Sequence, residues 1–283
     1  MSAPPEQAEI SVSNGESKEQ LATPLMIPNG SFTDRAIGLL FDVSLLIPAG
    51  VLLSEAAIRK YWNISYDPKE VKIGKIPILL LHGKGYNQIQ WKLGRKYLEQ
   101  EEYGTTFSVD YDGLITNGDK KSIADYAAVV GEKIDEIKKL VGMNEIVLIC
   151  HSLGGLVASF YAENLAAKQG TIVKHIITIA TPWHEPPIMQ YFKDKSVLYK
   201  EMTESNLIIM RKAASESMKN KIRSYYAIES KGDVIVPSPC GIIDDKIQKC
   251  ATFKRLGHYA IVVQYGPWEY IKSLLDDYVY VNK

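Results

Sequence analysis

Residues 145–155 read EIVLICHSLGG, and this stretch decides the fold. Glu145 to Cys150 reads as a buried strand of a parallel sheet, apolar at every position from Ile146 on. It leads directly into His151-Ser152-Leu153-Gly154-Gly155, and a helical LVASFYAENLAAK follows from Leu156. A serine on a strand-to-helix turn has the placement of a nucleophile elbow, which sets the hydroxyl at the carboxyl end of the sheet. The flanks of such a turn come close together, so the positions two before and two after the serine must be small. Gly154 meets the second demand, and Cys150 stands where glycine is usual. A serine that only caps the following helix is the plainer reading. The buried strand before Ser152 and the paired glycines after it favour the nucleophile.

Outward from this turn, strand-like and helix-like segments alternate from residue 71 onward. IPILLL (Ile76 to Leu81), TTFSVD within Tyr103 to Asp110, VKHIITIA (Val173 to Ala180) and SYYAIES (Ser224 to Ser230) read as strands, as does the stretch around Thr252 to Leu256. Ser122 to Val141 reads as a helix: Ile123, Tyr126, Val130, Ile134, Ile137 and Val141 recur at spacings of three and four, and Gly142 follows as a stop. Ala260 to about Asp277 reads as a closing helix. This alternation predicts an α/β fold, a mostly parallel sheet with helices on both faces. Residues 182–220 break the rhythm, opening on Pro182, Pro186 and Pro187 and turning amphipathic. Such an insertion either caps an apolar site or packs as a surface excursion on the sheet.

The composition narrows the function classes. The chain has 283 residues, 46% hydrophobic, with 33 Lys and Arg balanced by 33 Asp and Glu. Zero net charge argues against binding nucleic acid through overall charge. Three cysteines do not make a disulfide scaffold, although Cys240 and Cys250 are near enough in sequence to pair in an oxidising compartment. Neither a metal site nor a cofactor is expected.

The amino-terminal region divides in two. Residues 1–30 hold four prolines and no aromatic residue, and are expected to form a disordered tail. Residues 31–70 form an apolar arm before the catalytic domain at 71–283, which carries the cap at about 182–220. The arm contains AIGLLFDVSLLIPAGVLL (Ala36 to Leu53), which as a helix would reach roughly 27 Å, close to a bilayer core. Asp42 near the membrane centre would cost about 3 kcal/mol, and Pro48 would kink the helix. A helix packed on the domain or lying in a membrane interface is therefore expected over a full span. Were it to span, Arg59, Lys60, Lys69, Lys72 and Lys75 would keep the following domain cytoplasmic. The expectation is a cytoplasmic protein that contacts a membrane surface through residues 36–53.

Five motifs, in order, carry a family resemblance. IPILLLHGKGYNQIQW, LICHSLGGLVA, ITIATPWHEPP, KGDVIVP and RLGHYAIV resemble the oxyanion loop, elbow, post-elbow strand, acid turn and histidine turn of α/β-hydrolases. The likeness is to the bacterial lipase and esterase branch that includes the lipases similar to GPI inositol-deacylases. It departs from that branch at Cys150 and at Trp183, which separates Pro182 from His184 with no glycine after.

The resemblance implies a serine hydrolase acting on carboxylic esters, with Ser152 as nucleophile, His258 as base and Asp233 as the acid that orients it. Serine needs a base within hydrogen-bond reach, and the base needs a buried acid to hold its tautomer. His82, His151, His175 and His184 read instead as structural. Asp244 and Asp245 read as a solvated pair, and Asp110 and Asp112 as turn caps. The backbone N–H of Leu153, next after the nucleophile, supplies one oxyanion donor, and by resemblance the N–H of Lys84 supplies the other. Tyr86 and Trp183 are expected to bind the acyl part of a small-molecule or lipid ester. The same residues leave open an acyltransferase, or a non-catalytic relative that binds lipid.

Overall fold

The computed structural model describes residues 9–11, 31–44, 66–111, 120–192, 195–244 and 246–281. Its strands are β1 (Glu9–Ser11), β2 (Ile78–Leu81), β3 (Thr106–Val109), β4 (Glu145–His151), β5 (Ile172–Ile179), β6 (Ser224–Ser230) and β7 (Lys249–Phe253). They form one sheet in the order β1-β7-β6-β5-β4-β2-β3. Every pairing is parallel except β1 with β7. This is the α/β-hydrolase fold.

Period-two geometry explains why the central strands read as unbroken apolar runs. Leu79, Leu81, Ile146, Leu148 and Cys150 enter the core on one face of the sheet. Ile78, Leu80, Val147, Ile149 and Ile177 enter a second core on the other. With helices on both sides, each alternate residue is inside, so no polar alternation survives.

The helices are α1 (Phe32–Ser44), α2 (Lys92–Glu99), α3 (Ile123–Val141), α4 (Leu153–Asn164), α5 (Val197–Glu201), α6 (Glu204–Lys219) and α7 (Tyr265–Tyr278). Helix α3 begins with a reciprocal capping box between Ser122 and Asp125, and ends at Gly142 with φ 72°. Its apolar stripe packs into the first core, along with Leu156 and Val157 of α4 and Leu207 of α6. Leu98 of α2 and Trp268 and Ile271 of α7 fill the second.

Two expectations shift. Glu9–Ser11 lie within the stretch expected to be disordered, yet they pair antiparallel with Thr252, Ala251 and Cys250. The open side of β7 offers backbone groups that an extended segment can satisfy. The rest of residues 1–30, apart from these three, lies outside the described residues. The last strand ends at Phe253, and the closing helix is split into a short 3-10 turn, Ala260–Val262, and α7. In the insertion at 182–220, Met189, Leu198, Met202 and Leu207 are buried in the first core.

Of the apolar arm, α1 packs on the domain while residues 45–65 lie outside the described residues. Among the described residues no helix is long and apolar enough to cross a membrane. Cys150, Cys240 and Cys250 are buried and form no disulfide.

Packing between α2 and α7 leaves no room for one methyl group. A Cβ on Gly94 would fall 2.0 Å from Cζ2 of Trp268. The indole cannot swing freely, because its Nε1–H donates to the Val262 carbonyl at 2.9 Å. Gly94→Ala is expected to destabilise the protein by about 1–3 kcal/mol through overpacking, despite the better helix propensity of alanine. Urea unfolding checks this, and unchanged or higher stability would mean that the ring yields.

Candidate active site

The strand order brings the ends of β2 and β4 side by side, and the loop after β2 meets the turn after β4 there. Ser152 has φ 52° and ψ −125°, a conformation costly for a residue with a side chain. It is held by the Ser152 N–H donating to the Ile179 carbonyl at 2.8 Å, and by Gly155 N–H donating back to the Ser152 carbonyl at 3.0 Å. The two glycines that follow are steric requirements. A Cβ on Gly154 would stand 2.5 Å from the Leu81 carbonyl oxygen, and one on Gly155 2.1 Å from Thr181 Oγ1. Cys150 is fully buried, and burial pushes its thiol well above the ordinary range. It serves the turn as a small apolar side chain.

Three loops from distant parts of the chain converge on this hydroxyl. His258 Nε2 lies 3.0 Å from Ser152 Oγ, and His258 Nδ1 lies 2.7 Å from Asp233 Oδ2. The other Asp233 oxygen accepts the backbone N–H groups of Ile235 and Val236, both at 2.8 Å. Asp233 is fully buried and His258 nearly so. The carboxylate thus holds the imidazole proton on Nδ1 and turns the bare Nε2 toward the serine. Ser230 Oγ ties the two turns together by accepting from Gly232 N–H and Leu256 N–H, both at 3.1 Å.

The loop after β2 runs beside the serine. A Cβ on Gly83 would lie 3.1 Å from that of Ser152, so this backbone passes in contact with the serine. His82 braces the loop: its Nδ1–H reaches the Gly83 carbonyl at 2.8 Å, its ring stacks on Tyr111, and Tyr111 OH donates to the His82 carbonyl. Leu153 opens α4, so its N–H has no acceptor within the helix. The Lys84 ammonium lies over the Tyr199 ring at 4.9 Å, linking this loop to α5.

The sequence model of the PGAP1-like alpha/beta domain matches residues 72–263, which include all of these residues. The chain belongs to the PGAP1-like alpha/beta domain family. A comparison with curated proteins gives no significant match. Among solved structures, the PGAP1-like chain is similar to Bacillus licheniformis lipase BlEst2 in mature form, with a TM-score of 0.58 at 16% identity, covering 74% of this chain and 96% of that one. A carboxylesterase structure from the thaumarchaeon Nitrososphaera gargenis gives 0.52 at 11% identity, covering 76% and 94%. Est1E from Butyrivibrio proteoclasticus, bound to ferulic acid, gives 0.52 at 13%, covering 72% and 87%. At these identities the likeness establishes the shared fold.

Within this PGAP1-like domain the remaining candidates have other surroundings. The Tyr86 ring packs tilted against Tyr259 at 4.9 Å, and the Tyr259 ring lies 5.2 Å from that of His258. Trp183 is fully buried, edge-on to Tyr225 at 5.9 Å, and so packs in the core. His175 bonds Tyr226 OH at 3.1 Å within the sheet, and His184 stands 3.7 Å from Glu204. Asp112 and Asp245 lie outside the described residues. A cavity of about 660 Å³ opens elsewhere, lined by Tyr66, Lys72, Arg95 and Thr105, and contains none of the residues above.

Two contacts at the site escape sequence reading. The His151 ring reaches the His258 turn: its Nε2 meets the His258 carbonyl at 2.9 Å. Asp42, read as a liability within an apolar run, accepts the N–H groups of His258, Tyr259 and Ala260. Neither has a local signal, because the partners are more than one hundred residues away. Only the presence of one acid in an apolar run hints that Asp42 needs a partner.

A further buried acid, Glu229, supports the acid turn at the end of β6. Its Oε1 accepts from Ser238 Oγ at 2.6 Å and Thr252 Oγ1 at 3.2 Å. Burial raises its pKa above the ordinary carboxylate range. The folded state therefore holds this proton more tightly than the unfolded chain, and stability is lost as pH rises from about 4.3 through the folded value. Against Glu229→Gln, the wild type should lose relative stability as pH rises from acidic to neutral. Urea unfolding across that range checks it, and a pH-independent difference would contradict it.

Proposed function

We propose that this PGAP1-like domain is a serine hydrolase that cleaves carboxylic esters through an acyl-enzyme. The observation that carries the reading is the continuous chain from Ser152 Oγ through His258 to buried Asp233, at 3.0 and 2.7 Å, on a strained elbow. In the first step Ser152 Oγ attacks the ester carbonyl while His258 Nε2 takes its proton. Asp233 stabilises the imidazolium that forms. The tetrahedral oxyanion is met by the N–H groups of Leu153 and Lys84, and losing one such donor typically costs about 3 kcal/mol. Collapse breaks the bond to the alcohol, which leaves with the proton from His258. Water then attacks the acyl carbon while His258 takes its proton, and collapse breaks the bond to Ser152 Oγ, which regains the proton from His258 as the carboxylic acid leaves.

A lipid ester is the substrate class we favour. Tyr86, Tyr259 and Tyr199 provide aromatic surface near the serine, and the solved relatives named above include a lipase. Contact with a membrane surface fits the exposed Phe32, Leu39 and Leu40 of α1. Neither a metal nor a cofactor enters this chemistry.

An alkyl fluorophosphonate should label Ser152 in the wild type, with the site identified by peptide mass spectrometry. Absence of labelling would sink the proposal. His258→Ala should abolish turnover with the fold retained, and Asp233→Asn should lower kcat by about 10,000-fold through the wrong tautomer. A series of esters of rising chain length, with and without micelles, tests the lipid assignment. Preference for short, soluble esters without interfacial enhancement would remove it.

A further inference from the structure

The His258 turn is held from outside the domain's own sequence. Asp42 Oδ2 accepts the His258 N–H at 2.8 Å, and Oδ1 accepts the N–H groups of Tyr259 and Ala260, both at 2.9 Å. These donors open the 3-10 turn Ala260–Val262, where first-turn N–H groups lack a helical acceptor. Local side chains usually supply that cap, but here it comes from α1, more than two hundred residues earlier in the chain. On the other side of the same residue, the His258 carbonyl meets His151 Nε2 at 2.9 Å. Burial, reinforced by His258, pushes the His151 pKa well down, so the ring is neutral and its single proton on Nε2 points at that carbonyl. His151 in turn directly precedes Ser152.

We propose that Asp42 is a positioning residue for His258, so that α1 is a working part of the catalytic centre. The proposal rests on the triad reading above. Helix α1 approaches both catalytic turns backbone to backbone. A Cβ on Gly38 would lie 2.1 Å from the Gly232 carbonyl oxygen, next to Asp233. A Cβ on Gly257 would lie 2.3 Å from Asp42 Oδ2 and from the Gly38 carbonyl oxygen. The absence of side chains at Gly38, Gly232 and Gly257 lets one helix touch the acid turn and the base turn together. Three N–H bonds to one carboxylate are charge-assisted and directional, and they fix where the imidazole projects. A helix that only sealed the domain could do so with apolar contacts and would not need a half-buried carboxylate at this point.

The test uses the full chain carrying Asp42→Ala or Asp42→Asn, assayed on a soluble p-nitrophenyl ester and by the rate of fluorophosphonate labelling. A displaced base lowers kcat with little effect on substrate binding, and an error of about 1 Å can cost about a hundredfold. Asp42→Ala is expected to lose roughly 10- to 100-fold in kcat per folded molecule, with KM within about twofold. Asparagine keeps one acceptor oxygen for Tyr259 and Ala260 but not the partner of His258 N–H, so it should fall between wild type and alanine. Labelling rates should follow the same order. If the alanine variant does not fold, the asparagine variant carries the test by the same split. A folded variant with wild-type kcat, or with loss confined to KM, overturns the proposal. A wild type that is neither labelled nor active would instead overturn the triad reading, and this proposal with it.

Discussion

The turn after β4 accepts no side chain at Gly154 or Gly155, because the end of β2 and Thr181 already occupy that space. This close approach forces Ser152 into positive φ and lifts its hydroxyl above the ends of the parallel strands. The rest of the site is arranged around that point. β2 and β4 are neighbours, so the Gly83 loop passes beside the serine. β6 and β7 lie farther along, so their turns must reach across to bring Asp233 and His258 into line.

Reaching across requires support, and the supports are polar. Ser230 joins the acid and base turns, Glu229 holds the segment around Ser238, and Asp42 and His151 grip the His258 main chain from opposite sides. These groups are buried or half-buried, so each would be costly unpaired. Each therefore specifies a position more sharply than apolar packing would. The His258 imidazole is fixed both at its ring and at its backbone.

Much of this was legible in the sequence for a physical reason. Strands buried on both faces leave unbroken apolar runs, and Ile78–Leu81 and Ile146–Cys150 show this directly. A tight elbow demands small residues at fixed offsets from Ser152. The weaker readings fall where tertiary contacts override local pattern. Glu9–Ser11 pair with β7 although nothing in their composition calls for a strand. The amphipathic look of residues 182–220 could suit a lid or a core, and packing against α4 and the sheet buries much of it. Trp183, plausible as a pocket wall, fills space beside Tyr225.

By itself the sequence determined the sheet, the elbow and the order of the serine, acid and histidine turns, because those follow from periodicity and from residues adjacent in the chain. Tertiary structure alone decided what holds the histidine turn in place. An acid in an apolar segment reads as an uncompensated charge until the fold shows its partners, and those partners are backbone N–H groups with no sequence signature. Asp42 is therefore a flaw in a one-dimensional reading and a cap in three dimensions.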